Sequence, residues 1–337
     1  MIQSSARSSN FELLRIIAIL FITLHHLVIN NANVCGYNKP YDFSSDGGIG
    51  ICLNSLVIIG VNLFILISGW FGIRRIWSNV IRLVVDVAVF GLINVCVSWC
   101  LFGYAPSCES IFHTCNYMEN WYVLHFILLI LVSPFLEKAL HGASSREIGY
   151  FVFLFTIVAV YFGWRKAVLN PSGYNVLNFI YLYVLARYLR ICVENRFVCW
   201  IAKYGLWLWA LFAMMNAAIY FTLMKYSLSG DPIRFCWSYN SPLVLLCSVS
   251  FFLFFAKRTV RHNPFINLMA TGTLGVYVLQ STRPFSAYRG LLFAPFYESA
   301  SFAGLFVFAL LLFIFFDGIA SAYTYLYRKI ETKLKRS

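Results

Sequence analysis

The feature of this sequence that most limits its fold is a series of long stretches without a charged side chain. No acidic or basic residue occurs between Asp46 and Arg74, for example. Hydrophobic residues make up 61% of the 337 residues and charged residues 12%, against about 45–50% and about 25% in soluble domains. Such stretches cross a bilayer as helices, because a helix satisfies its own backbone hydrogen bonds in lipid. The sequence therefore excludes soluble, disordered and collagen-like classes and predicts a helical membrane protein.

The gaps between charged residues predict an all-α, polytopic membrane helical bundle with about ten transmembrane helices. Eight gaps contain no Asp, Glu, Lys or Arg, and two further spans contain one carboxylate each, Asp86 and Asp317. Most are close to the 17–25 residues that cross a bilayer. The spans are bounded at about residues 15–39, 46–74, 83–103, 119–137, 147–165, 166–187, 203–225, 234–257, 261–283 and 300–326. With no internal repeat and no long linker, we expect one domain over residues 1–337.

The distribution of basic residues predicts that both termini are cytoplasmic. Of the 26 Lys and Arg residues, 18 fall on the side of the N-terminus and 7, Arg289 among them, on the opposite side. Cytoplasmic loops carry such an excess, which also accounts for the net charge of +13. Without a basic, polar domain outside the spans, we expect a lipid bilayer as partner, the plasma (inner) membrane, and no nucleic acid. No Ala-x-Ala site follows the first span, so we expect it to be retained.

The first span contains ionisable residues, which are costly in a membrane and mark functional sites by default. Arg15 and His26 are eleven residues apart, which is three helical turns plus about 20°, so they share one face about 16 Å apart. His25 is rotated from Arg15 by about 80° and ranks below His26. Glu12 precedes Arg15 by three residues and can pair with it.

These residue types match a specific chemistry. His26 as a general base would take the proton from a hydroxyl that attacks an acyl thioester. Arg15 would hold a phosphate of acyl-coenzyme A through its bidentate fork, helped by Arg74 and Arg75. Structural roles stay open for all of them: a headgroup anchor for Arg15, an interhelical hydrogen bond for His26, and the positive-inside bias for Arg74 and Arg75.

Several segments of the sequence resemble those of a known family. Residues 9–20, SNFELLRIIAIL, with His25 and His26, resemble the opening of the acyltransferase 3 family, whose Arg-x10-His motif falls on Arg15 and His26. Residues 60–71, GVNLFILISGWF, resemble its second-helix signature, and residues 120–122 and 133–136 resemble its fourth helix. Residues 273–280, TLGVYVLQ, resemble a late helix that often ends in histidine, where this chain has Gln280.

The resemblance implies a ten-helix membrane O-acyltransferase that uses acyl-CoA, above all acetyl-CoA, as a co-substrate and needs no cofactor. The implied acceptor is a hydroxyl of a surface glycan or of a lipid-linked sugar. Aromatic and polar side chains suited to an acceptor pocket are Asn62, Ser68, Trp121 and Tyr122, with helix packing and an interfacial aromatic belt as the alternative. Some members carry an extra extracellular catalytic domain. Because this chain ends soon after the last span, we expect transfer within the membrane unit or with a separate partner.

Two other hypotheses about the function remain open. A secondary transporter or flippase of a polysaccharide precursor would also use intramembrane charges, but the sequence lacks inverted repeats and paired broken helices. A function as a non-enzymatic scaffold would not explain why Arg15 and His26 are aligned on one face of a transmembrane helix. The ten cysteines form no metal pattern, so we expect no metal site. Cys108 and Cys115 share one predicted outer loop, which leaves a disulfide between them open.

Overall fold

A computed structural model of the protein describes residues 8–32, 45–169, 171–226 and 231–334. Within these ranges the chain is helical and contains no β-strand. Arg7, Lys39, Lys335 and Arg336, which contribute to the predicted orientation, lie outside the described residues.

The helices follow one another with short connections. In chain order they are α1 (Ser9–Leu27, extended by a π-helical segment Val28–Ala32), α2 (Ser45–Val57), α3 (Gly60–Phe71), α4 (Ile76–Phe102), α5 (Cys108–Cys115), α6 (Trp121–Gly142), α7 (Ser145–Ile157, extended by a π-helical segment Val158–Arg165), α8 (Val176–Ile191), α9 (Arg196–Lys225), α10 (Pro232–Trp237), α11 (Pro242–Ala256), α12 (Pro264–Met269), α13 (Thr273–Ser281) and α14 (Phe285–Leu334).

Local sequence explains where several helices begin. Asn120, Asn175 and Asn195 precede α6, α8 and α9, and each side-chain oxygen accepts a hydrogen bond from an N–H of the first turn. Such caps satisfy donors that the helix itself leaves unpaired. Pro242 and Pro264 stand at the starts of α11 and α12, where a missing N–H costs nothing.

Eight segments of the described chain are long and apolar enough to cross a membrane, which confirms a polytopic helical membrane bundle. They are Ser9–Ala32, Gly47–Phe71, Ile76–Phe102, Trp121–Gly142, Ser145–Arg165, Arg196–Lys225, Pro232–Ala256 and Phe285–Tyr327. The other two predicted spans correspond to shorter helices. The predicted span 166–187 becomes the 16-residue α8, because a turn at Pro171–Gly173 interrupts its first half. The predicted span 261–283 is divided into α12 and α13.

The region before the last span differs from the prediction. Residues between Phe285 and the break at Ala300 and Ser301 are helical and form the first part of α14. The sequence places Arg289 in an outer segment, and its side chain lies at the outer end of the bundle, but it is buried there, only 2% exposed, rather than in an exposed loop. Its polar contacts lie on distant parts of the chain, so the local pattern of charges did not reveal its burial.

The disulfide left open between Cys108 and Cys115 does not form, since both thiols are free. The two residues are the first and last of α5, eight residues long. Seven helical steps separate their Cα atoms by about 10 Å, whereas a disulfide needs less than about 7 Å. Helix formation in this outer segment therefore excludes the bond.

Helix α1 lies at the centre of the bundle, in contact with α2, α3, α11, α12, α13 and α14. Its first turn is fixed by polar contacts: Asn10 donates to the Phe255 carbonyl at 2.9 Å and Ser9 to Asn267 at 3.1 Å. Gly60 allows α3 to lie close to α1, because a Cβ at this position would lie 2.8 Å from the Ala18 carbonyl oxygen. Small residues at helix contacts allow this close approach in membranes.

Gly69 provides a test of this packing. A Cβ at Gly69 would lie 2.4 Å from the Tyr183 carbonyl oxygen, where α3 crosses α8. We expect Gly69→Val to destabilise the protein by about 1–3 kcal/mol, because α3 and α8 must separate. The measurement is the melting temperature of the purified protein in detergent. Gly318→Ala is the control, since a Cβ there meets nothing within 4 Å; equal melting temperatures for both variants would contradict the packing described here.

Candidate active site

The two ends of α1 open into different cavities. We call the end of the bundle at which α1 begins the inner end, because the charge distribution predicts that it faces the cytoplasm. The inner cavity consists of two adjoining lobes of about 480 and 400 Å³, both lined by Arg15, Ser68 and Arg82. The outer cavity has a volume of about 650 Å³ and is lined by His26, among others. Arg15 and His26, which are predicted to share one face of α1, therefore both line cavities of the protein rather than facing lipid.

Arg15 and Glu12 form the ion pair that their spacing predicts. Arg15 Nη1 lies 2.7 Å from Glu12 Oε1, and the side chains are 30% and 7% exposed. Both residues line the larger inner lobe. A paired guanidinium retains further N–H donors for a ligand, so Glu12 holds Arg15 in place without using up its capacity to bind an anion.

Other cations surround the inner end. Arg82 lines both lobes and pairs with Asp86, with Nε and Oδ2 3.5 Å apart. Arg74 is exposed, lines the smaller lobe, and pairs with none of the described carboxylates. Arg74 also lines a neighbouring cavity of about 580 Å³ together with Arg187 and Arg190. Arg75 is exposed but lines neither this cavity nor the inner cavity.

The outer cavity is polar, and helices distant in sequence bring its walls together. His26 Nδ1 lies 3.4 Å from Ser281 Oγ at the end of α13, and both residues line the cavity. Trp121 also lines the cavity, with its ring 5.9 Å from that of Tyr239 and nearly parallel to it. The remaining polar walls come from α5, from the segment before α6 and from the residues after α13: Ser107, Glu109, Ser110, His113, Thr114, Asn116, Glu119, Asn120, Thr282 and Arg283.

His25 points to a different environment, as its rotation along the helix predicts. Its Nδ1 lies 2.6 Å from Asn54 Oδ1 on α2. It borders a separate cavity of only about 40 Å³, lined also by Tyr174 and Trp237. The two histidine rings are 5.6 Å apart. His25 thus borders His26 but does not line the outer cavity.

The four residues suggested for an acceptor pocket are distributed over different sites. Only Trp121 lines the outer cavity, whereas Ser68 and Tyr122 line the inner cavity. Asn62 is fully buried and donates to the Tyr239 carbonyl oxygen at 2.9 Å and to Ser248 Oγ at 3.1 Å. Asn62 therefore connects α3 with the α10–α11 region and lines neither cavity.

Arg289 is a residue of the outer end that sequence reasoning missed. Its Nε donates to Asn31 Oδ1 at 3.0 Å, in the π-helical end of α1, and its Nη1 donates to the Gln280 carbonyl at 3.2 Å. None of the described carboxylates forms an ion pair with it. Arg289 ties together the ends of α1 and α13, which carry His26 and Ser281. The available signal was an arginine within the apolar run after Phe285, which is atypical of an exposed loop.

Together these features distinguish a compartment lined by guanidinium groups from a polar compartment that contains an imidazole. The inner cavity offers guanidinium groups, which bind phosphates. The outer cavity offers a histidine, the commonest general base near neutral pH, beside hydrogen-bonding groups and an indole. Among the described residues, no group of three or more His, Cys, Asp or Glu side chains is placed to hold a metal ion.

Comparison with known proteins identifies the family of the chain. The family model of the acyltransferase 3 domain, described as "Acyltransferase domain", matches residues 8–325, nearly the whole chain. No curated protein and no solved structure matches the chain. The matched region contains Arg15, His26 and both cavities. The chain therefore belongs to the acyltransferase 3 family and is a membrane acyltransferase.

Proposed function

We propose that the protein transfers an acyl group, in the first place acetyl, from cytoplasmic acyl-CoA to a hydroxyl of a surface glycan or lipid-linked sugar. The observation that carries this proposal is the pair of cavities on one face of α1, with Arg15 in the inner one and His26 in the outer one. The donor is cytoplasmic and anionic, and the acceptor is a polyhydroxylated molecule on the far side. We place the enzyme in the plasma membrane, where these two substrates meet.

The donor binds at the inner end. The phosphates of acyl-CoA lie among Arg74, Arg82 and Arg15, whose guanidinium groups suit phosphate oxygens. Glu12 keeps the Arg15 guanidinium in one orientation through the 2.7 Å ion pair. The exposed Arg75 adds to the positive potential at the entrance. The pantetheine arm extends along α1 towards His26.

The acceptor enters the outer cavity, where Trp121 provides an aromatic face for a sugar ring. In the tautomer in which His26 Nδ1 donates to Ser281 Oγ, 3.4 Å away, Nε2 is the acceptor of the ring. His26 takes the proton of the sugar hydroxyl while its oxygen bonds to the thioester carbonyl carbon. The C–S bond then breaks, and the coenzyme A thiolate leaves and takes up the proton. His25, held by Asn54, supports the position of His26.

The first prediction concerns His26. We expect His26→Ala to lower turnover by about 10²–10⁴-fold, because the hydroxyl loses its base. The measurement is coenzyme A release from acetyl-CoA by the purified protein, together with mass analysis of surface glycans from cells that carry each variant. His262→Ala is the control, since His262 is exposed in a loop. Full turnover in His26→Ala would remove this histidine from the mechanism.

The second prediction concerns Arg15. We expect Arg15→Met to raise the KM for acetyl-CoA by about 10- to 100-fold, because a charge-assisted contact to phosphate contributes about 1.5–3 kcal/mol. Arg15→Lys retains the charge but not the two-pronged guanidinium, so its KM for acetyl-CoA should lie between those of the wild-type protein and Arg15→Met. Steady-state kinetics at varied acetyl-CoA concentration measures both. An unchanged KM in Arg15→Met would place the phosphates elsewhere.

The third prediction concerns Arg289, which holds the ends of α1 and α13 without lining the inner cavity. We expect Arg289→Lys to lower kcat by about 10- to 100-fold, because small misplacements of a catalytic group have effects of this size. The KM for acetyl-CoA stays unchanged, since donor binding occurs at the other end. A raised KM with an unchanged kcat would show that Arg289 acts on donor binding instead.

A transporter or flippase is the alternative that these assays also address. If a solute crosses vesicle membranes containing the protein while acyl-CoA is never consumed, the intramembrane charges serve transport. In that case His26→Ala would abolish the flux of the solute, and neither the wild-type protein nor the variant would release coenzyme A.

A further inference from the structure

Tyr277 is the residue at which the inner and outer cavities meet. Its side chain lines both of them. On α13, Thr273 lines the inner cavity and Ser281 the outer cavity. These three residues are spaced by four and therefore occupy one face of the helix. Tyr277 lies between the two ends of that face.

Helix α1 shows the same division directly opposite. Ile22 lines the inner cavity and His26 the outer cavity. Four residues correspond to about 6 Å along a helix, so the inner cavity ends about one turn before His26. A thioester carried up the inner cavity therefore comes close to the base only at the level of Tyr277.

Tyr277 is held firmly in this position. Its hydroxyl donates a hydrogen bond of 3.0 Å to Asn120 Oδ1 at the start of α6. Its ring packs edge-on against the ring of Tyr122, with centroids 5.2 Å apart. The residue is 7% exposed. Because both the hydroxyl and the ring have fixed partners, the side chain forms an ordered wall between the compartments.

We propose that Tyr277 is the specificity-determining residue for the acyl group, and that it also separates the thioester from water in the outer cavity. The inference rests on the proposed acyl transfer from coenzyme A. The acyl group, at the end of the pantetheine arm, has to pass the ring of Tyr277 to reach the hydroxyl activated by His26. A short acyl group fits beside the ordered ring of Tyr277, whereas each further methylene group clashes with that ring.

The wall has a second consequence, for hydrolysis. When the wall is shortened, water from the outer cavity reaches the thioester without a sugar. The water oxygen then bonds to the acyl carbon, the C–S bond breaks, and the products are a free carboxylic acid and coenzyme A, with the proton passing to the thiolate. Unproductive hydrolysis should therefore rise together with the tolerance for longer acyl groups.

The experiment compares acetyl-, propionyl- and butyryl-CoA, each radiolabelled in the acyl group. Membrane vesicles from host cells that contain the full chain and its endogenous acceptor are supplied with each donor. Incorporated label measures transfer, and free labelled acid measures hydrolysis. The variants are Tyr277→Ala and Tyr277→Leu, with Tyr277→Phe retaining the ring. Tyr181→Phe is the matched control, because its buried hydroxyl contacts Thr156 and the residue lines neither cavity.

We expect the wild-type protein and Tyr181→Phe to prefer acetyl over butyryl transfer. Tyr277→Ala and Tyr277→Leu should raise the butyryl-to-acetyl ratio by about 10- to 200-fold, the range for discrimination by methylene groups in a pocket, and should increase hydrolysis. Tyr277→Phe should keep the wild-type ratio. Two substitutions of different size keep the test decisive if one of them fails to accumulate in membranes.

Two negative results are distinguishable. If the wild-type protein consumes no acyl-CoA, the proposed function fails and the inference fails with it. If the wild-type protein transfers acetyl groups but both shortened variants keep its acyl preference and its hydrolysis rate, the inference alone is overturned.

Discussion

The structure depends on one constraint: polar groups on a helix inside a bilayer must find partners within the protein. Helix α1 meets this constraint at both ends, with Glu12 beside Arg15 at the inner end and Ser281 beside His26 at the outer end. Six other helices surround α1, and their packing creates both the partners and the cavities. A helix with these residues facing lipid would carry a large energetic cost. Its central position therefore follows from its sequence, and the site follows from its position.

Local sequence was sufficient for much of this arrangement. Each of the eight long apolar segments overlaps a span that the charge gaps predict, since charged residues within an apolar segment are costly and therefore few. The pairing of Glu12 with Arg15 and the different directions of His25 and His26 follow from the helical period alone. The Arg15–His26 spacing also pointed to the family, which the match over residues 8–325 shows.

The remainder of the site depends on contacts that no local pattern contains. His26 and Ser281 are 255 residues apart, and Asn31 and Arg289 are 258 apart. Burial of Arg289 needs α14 to begin at Phe285, before the predicted span, and this helical start brings the guanidinium against α1 and α13. Asn62 shows the opposite case. Its polar side chain suggested an acceptor pocket, with helix packing as the alternative, and its amide connects helices.

Under the proposed function, the division between the cavities allows one protein to bind two incompatible substrates. A thioester bound beside a general base is hydrolysed when an activated water reaches it before the acceptor does, and enzymes exclude water from reactive groups by closing their sites. A sugar acceptor requires a hydrated, polar cavity such as the one around His26. In the proposed reaction Tyr277 satisfies both requirements at one position, since it lines both cavities and its hydroxyl is bound to Asn120 beside the outer one. The same side chain can thus limit leakage between compartments and the size of the group that is transferred.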